Sequence, residues 1–441
     1  MGVAVDLATL AHSPDVPAAE DLARCVHCGL CLENCPTYLA TGQETESPRG
    51  RIHLIQALQE GRISATQNYA LHIDRCLVCR ACEAVCPSGV PFGRIMEAAR
   101  ADLSVRRELT PASRLAGWLV FKKLLPNRRR LRALATALRW YQRAGLQALV
   151  RASGLVDALP PTIRQMERSM PRLPNRFFEP AGQFLPATCD RRYRIGFFAG
   201  CVMPYAYGPV HDATIRVLRR LGCDVIVPRA QACCGALNVH GGERTMSRQL
   251  ARRNVRAFLD LDVDCVIVNS AGCGSTLKEY AELLAADELW RQRAQRFGSI
   301  VRDVNEFVAA QPFQPGLGPV RRRATFQESC HLAHAQRINA QPRAILEAIP
   351  GLELVDMAHP DNCCGSAGIY SFTQPELSNA LLETKMNEIR ATSADLIITA
   401  NPGCMLQLAA GLSKSGMHGE VRHLIEVLDW SYQAGGSVPR A

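Results

Sequence analysis

Two stretches of this sequence place four cysteines each at identical intervals. Residues 25–36 read Cys25-Val-His-Cys28-Gly-Leu-Cys31-Leu-Glu-Asn-Cys35-Pro36, and residues 76–87 read Cys76-Leu-Val-Cys79-Arg-Ala-Cys82-Glu-Ala-Val-Cys86-Pro87. Each is C-x2-C-x2-C-x3-C-P. Gaps of two residues let one loop wrap three thiolates around three corners of an iron–sulfur cubane, while the fourth cysteine points away and ligates the other cluster. The expected ligand sets are therefore crossed: Cys25, Cys28, Cys31 and Cys86 for one [4Fe–4S] cluster, and Cys35, Cys76, Cys79 and Cys82 for the second. The proline that follows each fourth cysteine has no N–H to donate and ends the local helical turn. Zinc also takes C-x2-C pairs, but in a closed tetrahedron of two such pairs or of cysteine and histidine pairs. Two quartets of identical spacing with a trailing proline fit iron–sulfur far better.

A second set of cysteines recurs in the C-terminal half. Cys201, Cys233-Cys234-Gly235 and Cys273 return as Cys330, Cys363-Cys364-Gly365 and Cys404, at offsets of 129, 130 and 131 residues. So constant an offset predicts two copies of one domain of roughly 120 residues. The four thiols of each copy are candidate ligands of a further cluster or metal; a structural or partner-docking role is the alternative. His334, four residues after Cys330, is either a partner of a thiolate or a structural histidine. Of the nineteen cysteines only Cys189, Cys223 and Cys265 stand apart. Cys223 and Cys265 each open an apolar run and read as small buried hydrophobes, and all three are expected to be inert.

The elements that must position these thiols can be read from the apolar pattern. Between the first two quartets lie forty residues, Pro36 to Arg75, in which Ile52-His-Leu-Ile-Gln-Ala-Leu58 has helical spacing. Arg49 and Arg51 sit just before it, either offsetting the charge of thiolate-ligated clusters or as solvated loop arginines. In the repeats each landmark cysteine follows a short apolar run: Tyr193 to Ala199, Asp224 to Val227 and Cys265 to Val268, then Ala324 to Phe326, Leu352 to Val355 and Leu396 to Thr399. Amphipathic stretches such as Ala213 to Leu221 and Met246 to Leu259 lie between. That alternation predicts a parallel, doubly wound sheet, whose ligands sit beyond the carboxyl ends of the strands, where all these cysteines fall.

The bulk numbers bound the rest. At 441 residues, 47% hydrophobic and 21% charged, the chain is long enough for two or three domains with real cores. No apolar run reaches the roughly 18 residues a membrane span needs, and Met1 to Glu20 carries acids and a proline where a signal peptide would be basic and apolar. The expected location is the cytoplasm, where thiols stay reduced and cysteines in such number serve metal or reactivity. Residues 101–190 hold sixteen Lys and Arg against six Asp and Glu, which accounts for the whole net charge of +10. This segment includes Leu115-Ala-Gly-Trp118-Leu-Val-Phe121-Lys-Lys-Leu-Leu125 and the helical-looking Leu131 to Val150. It suits an interfacial helix on an anionic membrane surface or a linker packing on its neighbours, and lacks any nucleic-acid recognition module. The expected order is a helical 4Fe–4S ferredoxin-type domain (1–100), a basic helical linker (101–190) and two cysteine-rich domains (191–315 and 320–441). The fold class is α+β multidomain.

The insert resembles the helical two-cluster module of succinate dehydrogenase iron–sulfur subunits. The repeats resemble the CCG domains of heterodisulfide reductase B subunits and of iron–sulfur subunits of 2-hydroxyacid and glycerol 3-phosphate dehydrogenases, whose pattern ends in C-x-x-C. Here Ser270 and Asn401 stand at the first of those two positions. Iron beyond the eight atoms of two cubanes is therefore not expected, since oxygen and amide ligands suit iron–sulfur clusters less well than thiolate. In combination and order, CVHCGLCLENCPTY (25–38), PRGRI (48–52), DRCL (74–77), CEAVCPSGV (82–90), ACCG (232–235), SAGCG (270–274), HAQ (334–336), CCGSAG (363–368) and TANPGC (399–404) are similar to the glycolate oxidase (glycolate dehydrogenase) iron–sulfur subunit family. The resemblance implies an electron-transfer subunit with no catalytic residue of its own. Glycolate would become glyoxylate on a flavin in FAD-binding partner subunits, and electrons would pass toward a membrane quinone, with peripheral association on the cytoplasmic face of the inner membrane. A subunit of a related D-lactate or glycerol 3-phosphate dehydrogenase, a heterodisulfide-reductase-like protein, or a metal-stabilised scaffold without electron flow are the alternatives. No G-x-G-x-x-G lies between a strand and a helix to suggest a flavin or nicotinamide site in this chain.

Overall fold

Helices carry the N-terminal module because its apolar residues recur at helical spacing and its caps are well formed. In the computed structural model, which describes residues 15–107 and 109–436, the run expected to be helical lies in the helix Pro48–Gln59. Ser47 caps it by accepting the Gly50 N–H at 3.0 Å, and Pro48 occupies the first turn, where its missing N–H costs nothing. Helices Gln67–Asp74 and Phe92–Arg106 complete the module around a core of Ile52, Ile55, Ile73, Ile95 and Met96. The N-terminal stretch read for a leader falls, up to residue 14, outside the described residues, as do residues 437–441 of the second repeat's expected span.

The two repeats form two sheets of one design. The first holds β1 (Gln183–Leu185), β2 (Tyr193–Phe198), β3 (Cys223–Val227), β4 (Cys265–Val268) and β5 (Val301–Asp303), in the order β1-β3-β2-β4-β5. The second holds β6 (Arg322–Phe326), β7 (Leu352–Leu354), β8 (Leu396–Thr399) and β9 (Glu420–His423), in the order β7-β6-β8-β9. All pairings are parallel except β1 with β3. In each copy the first strand of the repeat, β2 or β6, thus lies between the next two, β3 and β4 or β7 and β8. Connections leave its carboxyl end in opposite directions and open the crevice where such sheets bind ligands. The expected strands are all present. β1 comes from the stretch read as linker, and the short, charge-bearing β5 and β9 gave no apolar run to detect.

The copies pack through a pseudo-two-fold arrangement. Helix Gly208–Arg220, which follows the first strand of one copy, lies on Leu424–Gly435, which follows the last strand of the other; Val304–Ala309 and Ala340–Glu347 form the reciprocal pair. One apolar core runs through both, joining Val217, Leu218, Phe307, Ile345, Leu424 and Leu428. A buried polar chain crosses it: His211 Nε2 meets the Ala199 carbonyl at 2.9 Å, Asn269 Nδ2 lies 3.0 Å from His211 Nδ1, and His423 Nε2 is 3.1 Å from the Asn269 carbonyl.

Burial lowers the pKa of His211 to about 3 and of His423 to about 4. A histidine depressed in the fold binds its proton more readily when unfolded, so stability is present above the ordinary value near 6.5 and is lost as pH falls toward the folded value. Urea unfolding at pH 7 and pH 5 is expected to show a loss of about 2 kcal/mol for each of the two histidines. His423→Asn should remove roughly half of that pH dependence, and an unchanged dependence would contradict the assignment.

Candidate iron–sulfur and cysteine-rich sites

The two ferredoxin loops share an unusual backbone. The residue before the second cysteine of each quartet, His27 (φ 54°) or Val78 (φ 52°), and the residue after it, Gly29 (φ 84°) or Arg80 (φ 65°), are all left-handed. Glycine adopts this region freely, whereas a β-branched valine there is an outlier that costs about 1–3 kcal/mol. The same curl in both loops turns three thiols inward. Cys25, Cys28, Cys31 and Cys86 line one recess beside Pro48, Arg49 and Phe92. Cys35, Cys76, Cys79 and Cys82 line a second, beside Arg51 and Leu77, and Cys82 borders both. The structure therefore brings together the crossed sets.

The recesses differ in exposure. Cys28 is exposed and Cys25, Cys31 and Cys86 are half-buried, with Val26 and Leu30 facing solvent beside them; all four thiols of the second recess are buried. Burial raises Cys31 to about 11 and pushes Cys79 and Cys82 well above the usual thiol value, with neighbouring cysteines adding to the effect. Four thiols packed together in this way cannot all ionise unless a cationic core neutralises them. An all-sulfur donor set is the soft environment that iron–sulfur clusters take, so the residues fit such clusters.

Arg51 corrects the picture of solvated loop arginines. It is 1% exposed, and its guanidinium pairs with Glu46 at 2.6 Å and donates to Thr37 at 3.0 Å and to the His72 carbonyl at 2.8 Å. Arg49 stays near the surface on Glu44 at 2.7 Å and donates to the His27 carbonyl at 3.2 Å, holding the first loop.

In the repeats the landmark cysteines lie just beyond the carboxyl ends of the strands. Gly235 (φ 87°) and Gly365 (φ 83°) make the left-handed turn that follows each cysteine pair; at Gly365 a side chain would meet the Ser378 carbonyl at 2.6 Å. Cys201 and Cys233 have their sulfurs 3.2 Å apart, and so do Cys234 and Cys273. Hydrogen bonding with Cys201 and Cys234 pushes Cys233 well below the usual thiol value, while the same bonds and burial push those two up. Cys330, Cys363, Cys364 and Cys404 form the equivalent set, and all eight thiols line one cavity of about 450 Å³ between the copies.

Ser270 and Asn401, which stand at the first position of the C-x-x-C that closes the family pattern, face each other across the pseudo-two-fold axis at 3.5 Å, and Asn401 also accepts the Gly272 N–H at 3.2 Å. They bridge the copies, and Asn401 Nδ2 also donates to Cys404 Sγ at 3.7 Å. His334 turns away from the thiols to the Asp361 carbonyl at 3.2 Å, the structural role. Cys223 and Cys265 begin β3 and β4 at the opposite end of the sheet, raised by burial to about 12, and Cys189 is exposed.

Three participants were not legible in the sequence. His331 and His240 line the cavity, and Leu77 of the second ferredoxin loop reaches it. His331 Nε2 bonds the Val78 carbonyl at 3.0 Å, and Cys79 shares a buried cluster with Cys363, Cys330 and Tyr370. Only the side-by-side packing of loops more than 250 residues apart creates this contact.

A two-quartet ferredoxin module set against two cysteine-rich α/β repeats defines an iron–sulfur electron-transfer protein. The chain is 41% identical over 92% of its length to the probable glycolate oxidase iron–sulfur subunit of Bacillus subtilis (strain 168), spanning 93% of that protein. It belongs to the glycolate oxidase iron–sulfur subunit family. The Escherichia coli (strain K12) glycolate oxidase iron–sulfur subunit is 32% identical over the same shares of both chains. Lactate utilization protein A of Shouchella clausii (strain KSM-K16) is 33% identical over 53% of this chain and 98% of its own. Family profiles match residues 21–90 as a 4Fe-4S dicluster domain, 112–170 as the glycolate oxidase iron–sulfur subunit linker region, and 195–278 and 324–409 as the cysteine-rich domain.

Cys35→Ser is expected to damage chiefly the cluster of the buried recess, and Cys86→Ser that of the exposed one, in paramagnetic spectra of the reduced protein. The reverse pattern would refute the crossing. Iron and acid-labile sulfide in the anaerobically purified wild type should come to about eight each; about twelve or sixteen would assign clusters to the repeats.

Proposed function

We propose that this chain carries electrons away from glycolate oxidation. Cys25, Cys28, Cys31 and Cys86 hold one [4Fe–4S] cluster and Cys35, Cys76, Cys79 and Cys82 the other. When bound, such clusters accept and release single electrons. The hydride leaves glycolate on the flavin of an FAD-binding partner subunit, and the protein's own contribution is to position and tune the iron–sulfur groups. The observation that carries this reading is the gradient of burial. The first quartet opens to solvent beside Val26 and Leu30, where a partner can come close, the second is buried, and its loop abuts the thiols of the second repeat.

The linker supports delivery at a membrane surface. No helix among the described residues is long and apolar enough to cross a bilayer. The helix Arg128–Arg143 instead buries Leu131 and Ala135 against the first repeat and turns Trp140 outward among arginines. The packed surface and the outward, arginine-flanked surface are opposite faces of the same helix. Apolar side chains flanked by arginine suit the boundary of an anionic bilayer, and a membrane quinone is the acceptor such a location offers.

The purified chain alone is expected not to reduce an artificial dye with glycolate. Together with its flavoprotein partners, glycolate should bleach the iron–sulfur absorbance within one turnover. Turnover without a flavoprotein would refute the division of labour, and bleaching by D-lactate or glycerol 3-phosphate but not glycolate would move the complex to a related dehydrogenase.

A further inference from the structure

The cavity between the repeats has a size that accommodates small ligands, at about 450 Å³. The chain has 51 Lys and Arg and 41 Asp and Glu, yet none of these lines the cavity among the described residues. A hydroxyacid anion would find no cation there, so the chemistry of the walls selects a neutral, largely apolar molecule. The outer wall is built by the linker, from Leu131, Leu134, Leu138, Met170 and Leu173. The outside of that same segment exposes Trp118, Trp140 and Leu149 among basic residues, so the wall of the cavity is also the face suited to a bilayer boundary.

The inner wall carries two histidines. His240 and His331 stand edge to face with ring centroids 5.4 Å apart. Behind His240, Glu97 Oε1 is 3.5 Å from the buried Nδ1, which has no hydrogen-bond partner among the described residues, so a small rotation of either side chain brings the carboxyl into bonding range. Glu97 in turn lines a separate polar recess with Arg80, Arg244, Glu279 and Glu282, between the helix Phe92–Arg106 and the first repeat, and Arg94 and Glu282 connect it to solvent.

We propose that the cavity binds a lipid-soluble quinone entering from the linker side, and that Glu97 and His240 supply the protons for its reduction. The inference rests on the electron-carrier reading above. Each quinone takes up two electrons, which the hydroxyacid oxidation supplies, and two protons; both carbonyls become hydroxyls and the ring becomes aromatic. Leu77, from the loop of the buried quartet, lines the cavity. Each proton given up at His240 is replaced from Glu97, and Glu97 is recharged through the polar recess.

Burial and the nearby Glu279 and Glu282 outweigh Arg244 and Arg80 and hold Glu97 at about 8, so it keeps a proton at neutral pH. Burial, with His331, Arg100 and Arg80 around it, pushes His240 well below the usual histidine value, so it passes a proton on without retaining it.

The test uses the complete complex, purified anaerobically, and a photoreactive azido-benzoquinone with a short isoprenoid tail. Light should attach the label to peptides carrying Leu131–Leu138 or Met170–Leu173, and decyl-benzoquinone but not glycolate should compete. Label confined to other surfaces or to the partner subunits would overturn the site. Leu138→Trp and the more exposed Leu134→Trp are expected to cut labelling at least tenfold with iron content unchanged, and undiminished labelling in both would also overturn it. Glu97→Gln should label normally but slow quinone-driven reoxidation of the glycolate-reduced complex about tenfold. It should also abolish the wild-type decline in that rate above pH 8, and Glu97→Asp should restore part of both. An unchanged rate and profile would eliminate the proton route. Glycolate that bleaches the iron–sulfur absorbance without any labelling would sink the quinone site and leave the electron-carrier reading standing; labelling without bleaching would do the opposite.

Discussion

The carboxylate of Glu46 is the point on which the ferredoxin module turns. It is fully buried and receives Arg51 at 2.6 Å, His72 at 2.8 Å and Arg75 at 3.0 Å. Arg51 also donates to Thr37, whose hydroxyl lies 3.3 Å from Cys35, and Arg75 immediately precedes Cys76. One charge cluster thus ties the last cysteine of the first quartet to the first cysteine of the second across the insert. Removing one member of a buried ion pair leaves an uncompensated charge and typically costs about 3–5 kcal/mol. Here it would also loosen the joint that sets the two thiol sets in register.

With that joint in place, the second loop is presented to the repeats. Its left-handed Val78 offers a carbonyl to His331, while Arg80 bridges Glu83 and Glu279, and the Tyr370 hydroxyl reaches the Arg75 carbonyl at 3.0 Å. These contacts join the module to both copies. Internal duplication then has a chemical consequence: a pseudo-two-fold axis beside the carboxyl ends of two parallel sheets turns two thiol sets toward one compartment. Ser270 and Asn401 lie at that axis, where hydrogen bonds between the copies occupy them.

The linker closes the compartment. Its helix Arg128–Arg143 has apolar residues on its packed side and arginines with Trp140 on its outer side, and Leu131 and Ala135 insert beside Cys201, Cys233 and Tyr205. Arg139 lies over the Phe177 ring at 4.1 Å, and Tyr205 donates to the Arg128 carbonyl at 3.1 Å. The helix is therefore held as a wall, and its packing role coexists with its outward apolar and basic surface.

The sequence by itself determined the sulfur chemistry, the duplication and six of the nine strands among the described residues, because each is a local signal. Ligand intervals of two and three residues, a constant offset near 130 and short apolar runs before each cysteine all survive without knowledge of neighbours. β1 was hidden in the linker, and β5 and β9 carry charged residues that mask a strand. The role of Arg51 was hidden because a guanidinium in a loop looks solvated until Glu46 is seen folded over it. Only the tertiary structure decided that both thiol sets share a cavity and that the linker walls it. It also decided that His240 and His331, from different repeats, meet beside it. Those contacts join residues tens to hundreds of positions apart, and burial in a shared interior, which no local pattern encodes, is what sets their chemistry.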